Sequence, residues 1–295
     1  MMYSRTLGEA RISNILEYMG PTHAPEFVFP ELDKARIAPE LDWLAPHHYL
    51  PAMDRFVVAM QLWVLELRDH VVVIDTGVGN HKQRPGVPRM HMLNTLVPLW
   101  LEAAGATAER VTHVLCTHFH GDHVGWNTRL VDGAWVPSFP NARYVMPQAD
   151  FTLAKAAFDA GDHQTLTGSF ADSILPVHEA GLVDFIDTDT EIVPGLRAER
   201  MPGHTAGAYC YHLRSGGRDG MFSGDIMHSA LQVAMPEVNT WIDYLPAQAR
   251  ASRRLFLTRA MEREALVMPA HFGYPHCGYV RATPDGGFRF EAEAR

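Results

Sequence analysis

The sequence predicts an α+β fold in which β-sheets are covered by helices. Long runs of Val, Ile and Leu indicate strands, and the clearest is the apolar run over residues 56–67. Segments with apolar residues at helical spacing, such as 92–104 and 246–263, interrupt these runs. Sheets and amphipathic helices each have an apolar face to bury, so they are expected to pack against each other.

The chain is predicted to form one domain over 1–295, with its core at about 56–275. No linker, short-period repeat or low-complexity segment divides it. Residues 1–50 contain several prolines, and we expect an irregular N-terminal arm with one short strand, packed over the body of the protein or over a partner subunit. The strands at 56–67 and 71–75 are expected to form a hairpin.

The rest of the chain alternates between the two patterns. The helix over 246–263 has a proline in its first turn and a predicted cationic outer face formed by Arg250, Arg253 and Arg254. The other predicted elements are the helices at 92–104 and 148–160 and the strands at 111–116, 142–146, 183–187, 208–213, 220–224 and 265–269.

Composition excludes several classes of protein. The chain of 295 residues is 47% hydrophobic and 20% charged, with a net charge of −9, as in globular proteins. It has no Lys/Arg-rich block, which argues against a nucleic-acid partner. Three cysteines do not make a disulfide framework, and no signal-peptide core or apolar stretch of membrane-spanning length occurs. We therefore expect a cytoplasmic protein without a membrane partner.

The run Thr117–His123 (THFHGDH) is the strongest functional signal in the chain. It places three imidazoles and one carboxylate within six residues, directly after an apolar strand. Such a density of nitrogen and oxygen ligands in one loop is typical of metal binding. The loop would present these side chains from the end of a sheet, where catalytic groups are usually placed.

Three later segments share one pattern, in which a short apolar strand and a Gly or Pro turn precede a residue that can bind metal. These residues are His204, Asp225 and His271. One His or Asp after a strand more often caps a turn or makes a structural hydrogen bond. Four such segments in one chain make a shared metal site the better explanation.

The order HxHxDH, then a distant His, an Asp and a His, resembles the metallo-β-lactamase-fold hydrolases over about residues 56–275. The resemblance implies a four-layer αβ/βα sandwich, with two mixed sheets packed face to face and a dinuclear metal site at one edge. Zinc is the expected metal, with manganese, iron or cobalt as alternatives. The resemblance implies that His118, His120 and His204 bind the first ion, that Asp122, His123 and His271 bind the second, and that Asp225 bridges them.

The residue at position 225 separates branches of this family. Zinc β-lactamases usually have Cys or Ser there, whereas Asp resembles the lactonase, glyoxalase II, phosphotriesterase-like and phosphodiesterase branches. In these enzymes a hydroxide that bridges the metals attacks the substrate. Asp122, Asp225 and His228 are the predicted catalytic residues. Asp75, in the preceding Asp-Thr-Gly turn, is expected either to orient a ligand histidine or only to cap the turn.

Several residues beside these motifs are predicted to bind substrate. His228 stands where acyl-homoserine lactonases often have a Tyr, and the segment from Gly224 looks closer to the methyl parathion hydrolase-like branch. His228 could donate a hydrogen bond to the developing oxyanion, or orient another group. The predicted substrate-binding residues are Phe119, Trp126, Met227, His228, Phe272 and His276.

The resulting hypothesis is a metal-dependent hydrolase that opens a lactone or cleaves a related ester of a small-molecule substrate. The alternatives left open are a phosphotriester or aryl ester hydrolase and a glyoxalase II-like thioesterase, although isolated Arg281 and Arg289 do not form a glutathione site. A metal-binding sensor or redox protein on the same fold is the alternative from another class. The N-terminal arm is a candidate contact for a homodimer.

Overall fold

The computed structural model describes residues 1–293, and they form two compact units that each have an apolar core. Unit 1 consists of Met1–Glu17 and Met60–Val193, and unit 2 consists of Tyr18–Ala59 and the chain from Pro194 onwards. The assignment of residues 1–295 to a single domain stays a prediction.

Strands make up most of the regular structure. In chain order they are β1 (Met2–Leu7), β2 (Ala10–Pro21), β3 (Tyr49–Leu50), β4 (Arg55–Leu67), β5 (His70–Ile74), β6 (His113–Leu115), β7 (Thr128–Val131), β8 (Ala134–Pro137), β9 (Arg143–Pro147), β10 (Val183–Ile186), β11 (Thr190–Val193), β12 (Leu196–Arg200), β13 (Tyr209–Ser215), β14 (Arg218–Gly224), β15 (Leu266–Pro269), β16 (Gly278–Ala282) and β17 (Phe288–Ala292).

Most of the helices are short. The α-helices are α1 (Pro25–Val28), α2 (Leu41–Leu44), α3 (Val97–Ala103), α4 (Gln148–Asp159), α5 (Leu175–Glu179), α6 (Leu231–Ala234) and α7 (Pro246–Glu262). Short 3₁₀ turns lie at Lys34–Glu40, Gly125–Asn127 and Thr165–Gly168, and a π-helical turn at Phe170–Ile174 leads into α5. Within residues 1–293, none of the helices has the length and apolarity needed to cross a bilayer.

The sheet of unit 1 has the strand order β1-β2-β4-β5-β6-β9-β10. Strands β5, β6, β9 and β10 run parallel, whereas β1–β2 and β4–β5 are antiparallel pairs. Because β5 and β6 are parallel neighbours, the loops that follow them leave the sheet at the same edge. The core of this unit includes Leu62, Val73, Val114, Tyr144 and Phe170, all buried.

The sheet of unit 2 has the strand order β12-β13-β14-β15-β16-β17. Its neighbours are antiparallel except β14 and β15, which are parallel. The residues after β14 and β15 are therefore placed at one edge of this sheet. The core includes Met221, Val267, Phe272 and, from α7, Phe256 and Leu257.

Most predicted elements are confirmed, with ends that shift by a few residues. The helix predicted at 92–104 is shorter and begins at Val97, because Asn80 bonds the backbone and side chain of Thr95 in a turn and Pro98 lies in the first turn of the helix. The hairpin β7–β8 was missed, although its Asp132-Gly133 turn, with both φ angles positive, is a strong hairpin signal.

The prediction of an irregular arm with one strand over residues 1–50 is wrong for its first part. Residues 2–21 form the antiparallel hairpin β1–β2 in the sheet of unit 1. Gly8, with φ of 59°, makes the turn, and Ile12 and Ile15 are completely buried. The error arose because the prolines that suggest irregular structure all lie at or after Pro21. From residue 22 to residue 50, the chain forms short helices and β3.

The predicted cationic outer face of helix α7 is also only partly correct. Arg254 is exposed and Arg250 is partly exposed, but Arg253 is only 1% exposed. Arg253 lies one helical turn from Ala249 and Leu257, both buried, and so belongs to the inner face of the helix.

Replacing Ile15 with Val should test whether the hairpin is part of the core of unit 1. We expect the free energy of unfolding to fall by about 1 kcal/mol, since one buried methylene group is lost and a small void remains. Urea unfolding of the variant measures this change. Met19→Leu, at a position that is 42% exposed, is the control and should unfold like the wild type. An unchanged midpoint for Ile15→Val would show that the hairpin contributes no packing.

Candidate metal centre

The run Thr117–His123 of unit 1 follows β6, and Asp75 follows the neighbouring parallel strand β5. Cys116 continues the β6 backbone pairing by donating to Val145 O at 3.0 Å, and Asp75 N donates to Leu115 O at 2.9 Å. The chain then turns sharply at Asp75, which has φ of 51°, a conformation that Asp tolerates better than most residues. The strand ends thus bring the Asp75 carboxylate beside the histidine loop.

The imidazoles of this loop are packed together. The ring centroids of His118 and His120 are 4.7 Å apart, and those of His118 and His123 are 4.1 Å apart. Nε2 of His123 lies 3.8 Å from Oδ1 of Asp122. Unit 1 therefore brings together all four ligands predicted from the run.

Asp75 orients His123. Its Oδ2 lies 2.9 Å from Nδ1 of His123, and its Oδ1 accepts a hydrogen bond from Thr117 N at 2.8 Å. A carboxylate on Nδ1 fixes the ring so that Nε2 carries the free lone pair, which is the usual arrangement around a ligand histidine. Of the two roles expected for Asp75, the structure therefore supports orientation of a ligand.

The loop after β5 is joined to the histidine loop by its backbone. Thr76 N donates to His123 O at 2.7 Å, and Trp126 N donates to Thr76 O at 2.9 Å. The two loops approach so closely at Gly125 that any Cβ there would overlap the carbonyl of Val78. A glycine at 125 is thus required by contact between backbones.

Glu17 also supports this region, and the sequence analysis missed it. Its carboxylate accepts hydrogen bonds from Val78 N at 2.6 Å, Gly79 N at 3.2 Å and Trp126 Nε1 at 2.9 Å. Burial raises the pKa of Glu17 more than these hydrogen bonds lower it. A single acidic residue on a strand, far along the chain from its partners, gives no sequence signal for such a role.

Replacing Asp75 with Asn should weaken metal binding without removing a ligand. An amide has one acceptor oxygen instead of two, so it cannot serve Thr117 and His123 equally well. We expect affinity for zinc to fall roughly 10- to 100-fold, as for other partners of ligand histidines. Competition with a chromophoric chelator measures this affinity. Asp69→Asn, in the exposed turn of the same hairpin, is the control, and equal affinities in the two variants would contradict the role of Asp75.

In unit 2 the predicted ligands follow β12, β14 and β15, and one carboxylate lies at their centre. Oδ1 of Asp225 lies 2.9 Å from Nε2 of His271, and Oδ2 lies 3.3 Å from Nε2 of His204. Asp225, His228 and His271 each offer a ligand atom, and these atoms lie within 4.8 Å of one another. Unit 2 thus brings together His204, Asp225 and His271 as predicted, and adds His228.

Two predicted ligand histidines of unit 2 are fixed through Nδ1. Nδ1 of His204 lies 3.0 Å from Oδ1 of Asp243, and Nδ1 of His271 lies 2.7 Å from the carbonyl oxygen of Ala59. Both rings therefore present Nε2 toward Asp225, like His123 beside Asp75. Asp243 was missed from the sequence because it follows no strand and belongs to none of the four motif segments.

The carboxylates of unit 2 create a site that favours positive charge. Burial alone would lower the pKa of His204, but Asp225 and Asp243 together outweigh it and raise the pKa to about 9. Burial would likewise raise the pKa of Asp243, yet the hydrogen bond from His204 and nearby positive charge lower it to about 2. The same negative potential that retains a proton on His204 also attracts a divalent cation.

His228 lies against this cluster. Its ring stacks on that of His271, with centroids 5.5 Å apart and an angle of 18° between the planes, and Nε2 is 3.0 Å from Oδ2 of Asp225. Nδ1 is buried and has no hydrogen-bond partner among residues 1–293. Burial lowers the pKa of His228 more than Asp225 raises it.

The residues of both units fit divalent metal ions. Imidazole Nε2 atoms with their Nδ1 atoms already bonded, together with carboxylates, are a donor set suited to zinc and similar ions. The buried and unpartnered Nδ1 of His228 points to a further polar group in this region.

The residues predicted to bind substrate are all buried or nearly so. Phe119 and Trp126 belong to the core of unit 1, and Met227 and Phe272 belong to the core of unit 2. His276 is 2% exposed, and its Nδ1 lies 3.0 Å from Phe272 O. Contact of these residues with a substrate stays a prediction.

The chain belongs to the Metallo-beta-lactamase superfamily, whose sequence profile matches residues 58–271. This family membership confirms the resemblance inferred from the motifs.

Curated relatives match only part of the chain. The hydroxyacylglutathione hydrolase of Rhizobium etli is 31% identical over 116 residues, which cover 38% of this chain and 33% of that protein. The enzyme of the same name from Rhizobium meliloti is 30% identical over 116 residues, with the same coverage. The chain thus matches about a third of the length of these relatives.

Solved structures match the whole chain. AbOPH, a hydrolase in the beta lactamase superfamily, has a TM-score of 0.80 at 20% identity and covers 100% of this chain and 98% of its own. AidC, a dizinc quorum-quenching lactonase in complex with a product, has a TM-score of 0.77 at 19% identity, with the same coverage. These likenesses confirm the predicted α+β fold class with its mixed sheets.

Proposed function

We propose that this protein is a dinuclear hydrolase of lactones or related esters. The proposal assigns His118, His120 and His204 to one ion, Asp122, His123 and His271 to the other, and Asp225 to both. The observation that carries it is the fixed orientation of His123, His204 and His271, each with Nδ1 bonded to a protein oxygen. Imidazole rings held in this orientation are expected where Nε2 must bind metal.

When bound, two zinc ions, or manganese, iron or cobalt, supply an activated water and a Lewis acid for the substrate oxygen. The side chains of the protein supply the remaining groups, which transfer a proton and donate a hydrogen bond. Asp225 is placed to accept a proton during attack and to return it to the leaving alkoxide. His228, whose Nε2 lies 3.0 Å from Oδ2 of Asp225, is placed to donate a hydrogen bond from that nitrogen to the oxygen that becomes negatively charged.

Asp at position 225 argues against a β-lactam, and the apolar residues beside the predicted ligands favour an uncharged lactone or related ester as the substrate. The apolar side chains of Phe119, Trp126, Met227 and Phe272, with His276, are proposed to surround the uncharged part of the substrate. The similarity of fold to AidC, whose structure holds a product, is in line with a small-molecule substrate of this kind.

A thioester is the second candidate, and the partial match to hydroxyacylglutathione hydrolases favours it. Against it, Arg281 and Arg289 are isolated in the sequence and do not form a cationic cluster for the carboxylates of glutathione. Aryl esters and phosphotriesters remain alternatives for the same metal chemistry. A homodimer also stays a prediction, to be checked by the molar mass in solution.

The test compares substrates on protein whose metal content has been measured. Turnover of a long-chain acyl-homoserine lactone is followed with a pH indicator, beside an aryl ester, a phosphotriester and S-lactoylglutathione. The proposal predicts two ions per chain and the highest kcat/KM for the lactone or the aryl ester. Fast cleavage of the thioester alone would replace the substrate assignment, and a chain that binds no metal would contradict the whole proposal.

A further inference from the structure

Arg253 is an unusual residue for its position on helix α7. Its guanidinium is buried, with 1% of the residue exposed, while the next residue, Arg254, faces solvent. Burial lowers the pKa of Arg253, yet a guanidinium titrates so far above neutrality that it stays charged. A buried charge is tolerated only where hydrogen bonds and counter-charges replace water.

The guanidinium donates to three backbone carbonyls. Nε donates to Ile226 O at 2.9 Å, and Nη1 donates to Pro236 O at 2.8 Å and Val238 O at 2.9 Å. Ile226 directly follows Asp225, the carboxylate at the centre of the histidines of unit 2. One end of the guanidinium therefore holds the backbone that carries Asp225.

The other end reaches His204 through a carboxylate. Nη2 of Arg253 lies 3.4 Å from Oδ2 of Asp243, and Oδ1 of Asp243 lies 3.0 Å from Nδ1 of His204. Thr240 N adds a 3.0 Å hydrogen bond to the same Oδ2. The series His204–Asp243–Arg253–Ile226 thus leads from one predicted ligand to the residue beside another, entirely within unit 2.

We propose that Arg253 and Asp243 are positioning residues that set the placement of His204 relative to Asp225, and so determine metal affinity in unit 2. The inference rests on the proposed function, because it takes His204 and Asp225 as ligands. A planar guanidinium suits this task, since its fixed fork of donors can bind a backbone carbonyl and a carboxylate at once. A lysine offers a single flexible ammonium, which cannot hold both.

The test uses Arg253→Lys and Asp243→Asn, with Arg254→Lys as the matched control. Arg253→Lys keeps the positive charge but loses the fixed arrangement of donors. Asp243→Asn keeps the size of the side chain but loses its negative charge. Both changes should alter the packing little. Zinc affinity is measured by chelator competition on metal-free protein, and the absorption spectrum of the cobalt form reports ligand geometry. The free energy of unfolding of the metal-free proteins is measured in parallel.

We expect zinc affinity to fall roughly 10- to 100-fold in both variants, with an altered cobalt spectrum, while Arg254→Lys stays within twofold of wild type. Combining the two changes should cost less than the product of the separate losses, because they interrupt the same series. Unchanged affinity and spectrum in both variants, even with reduced stability, would overturn the inference. Failure of the proposed function is distinct from this, because the wild-type protein itself would then bind no zinc.

Discussion

Replacing Asp225 with Asn is expected to abolish hydrolysis and to lower the number of metal ions bound per chain. The Asp225 carboxylate lies between Nε2 of His204 at 3.3 Å and Nε2 of His271 at 2.9 Å, where an uncharged amide cannot balance a divalent cation. A loss of several kcal/mol in transition-state stabilisation corresponds to a rate lower by on the order of 1,000-fold or more. Steady-state kinetics and metal analysis of the same sample measure both effects.

The control for this change is Asp219→Asn in β14, the strand that precedes Asp225. Asp219 pairs with His212. Within residues 1–293, it forms no hydrogen bond with the three histidines around Asp225. Its variant should keep the metal content and the rate within about twofold of wild type, because Asp219 pairs with His212 and not with a predicted ligand. Near-normal turnover by Asp225→Asn with full metal content would remove the central residue of the proposed mechanism.

Replacing His228 with Phe is expected to lower kcat by roughly 100-fold while both metal ions remain bound, in keeping with the loss of one donor to an oxyanion. The phenyl ring can keep the stacking on His271 but has neither ring nitrogen. KM should change much less than kcat, because the hydrogen bond strengthens mainly as negative charge develops on the substrate.

His163→Phe, at an exposed position of unit 1, is the control for a His-to-Phe change and should behave as wild type. Loss of one metal ion from His228→Phe would instead identify His228 as a ligand, in line with its place in the group with Asp225 and His271. Unchanged kcat with full metal content would leave His228 with a packing role only.

The predicted ligands could be identified from the sequence because each follows a strand and lies in a short motif. His118, His120, Asp122 and His123 lie on one loop, and their proximity in unit 1 needs no knowledge of the fold. That His204, Asp225 and His271 share a site was inferred from the strand and turn that precede each of them, and the family resemblance then assigned them to the two ions.

The supporting carboxylates could not be identified from the sequence in this way. Glu17 and Asp243 act through contacts with backbone or with a histidine far along the chain, and neither stands in a motif of its own. Arg253 was placed on the wrong face of α7 because a buried arginine and an exposed one have the same sequence pattern. Only the positions of the carbonyls and the carboxylate around it explain why burial is favourable there.

The bond between His271 and Ala59 links the order of folding to the completion of the site. Nδ1 of His271 bonds to the carbonyl oxygen of Ala59 at 2.7 Å, and Ala59 N bonds to His271 O at 3.0 Å, across 212 residues of chain. Contacts of such large sequence separation carry a high entropic cost of loop closure and tend to form late. A growing chain would therefore form the loop Thr117–His123 well before it could fix His271 in place. Tight metal binding would then be reached only at the end of folding.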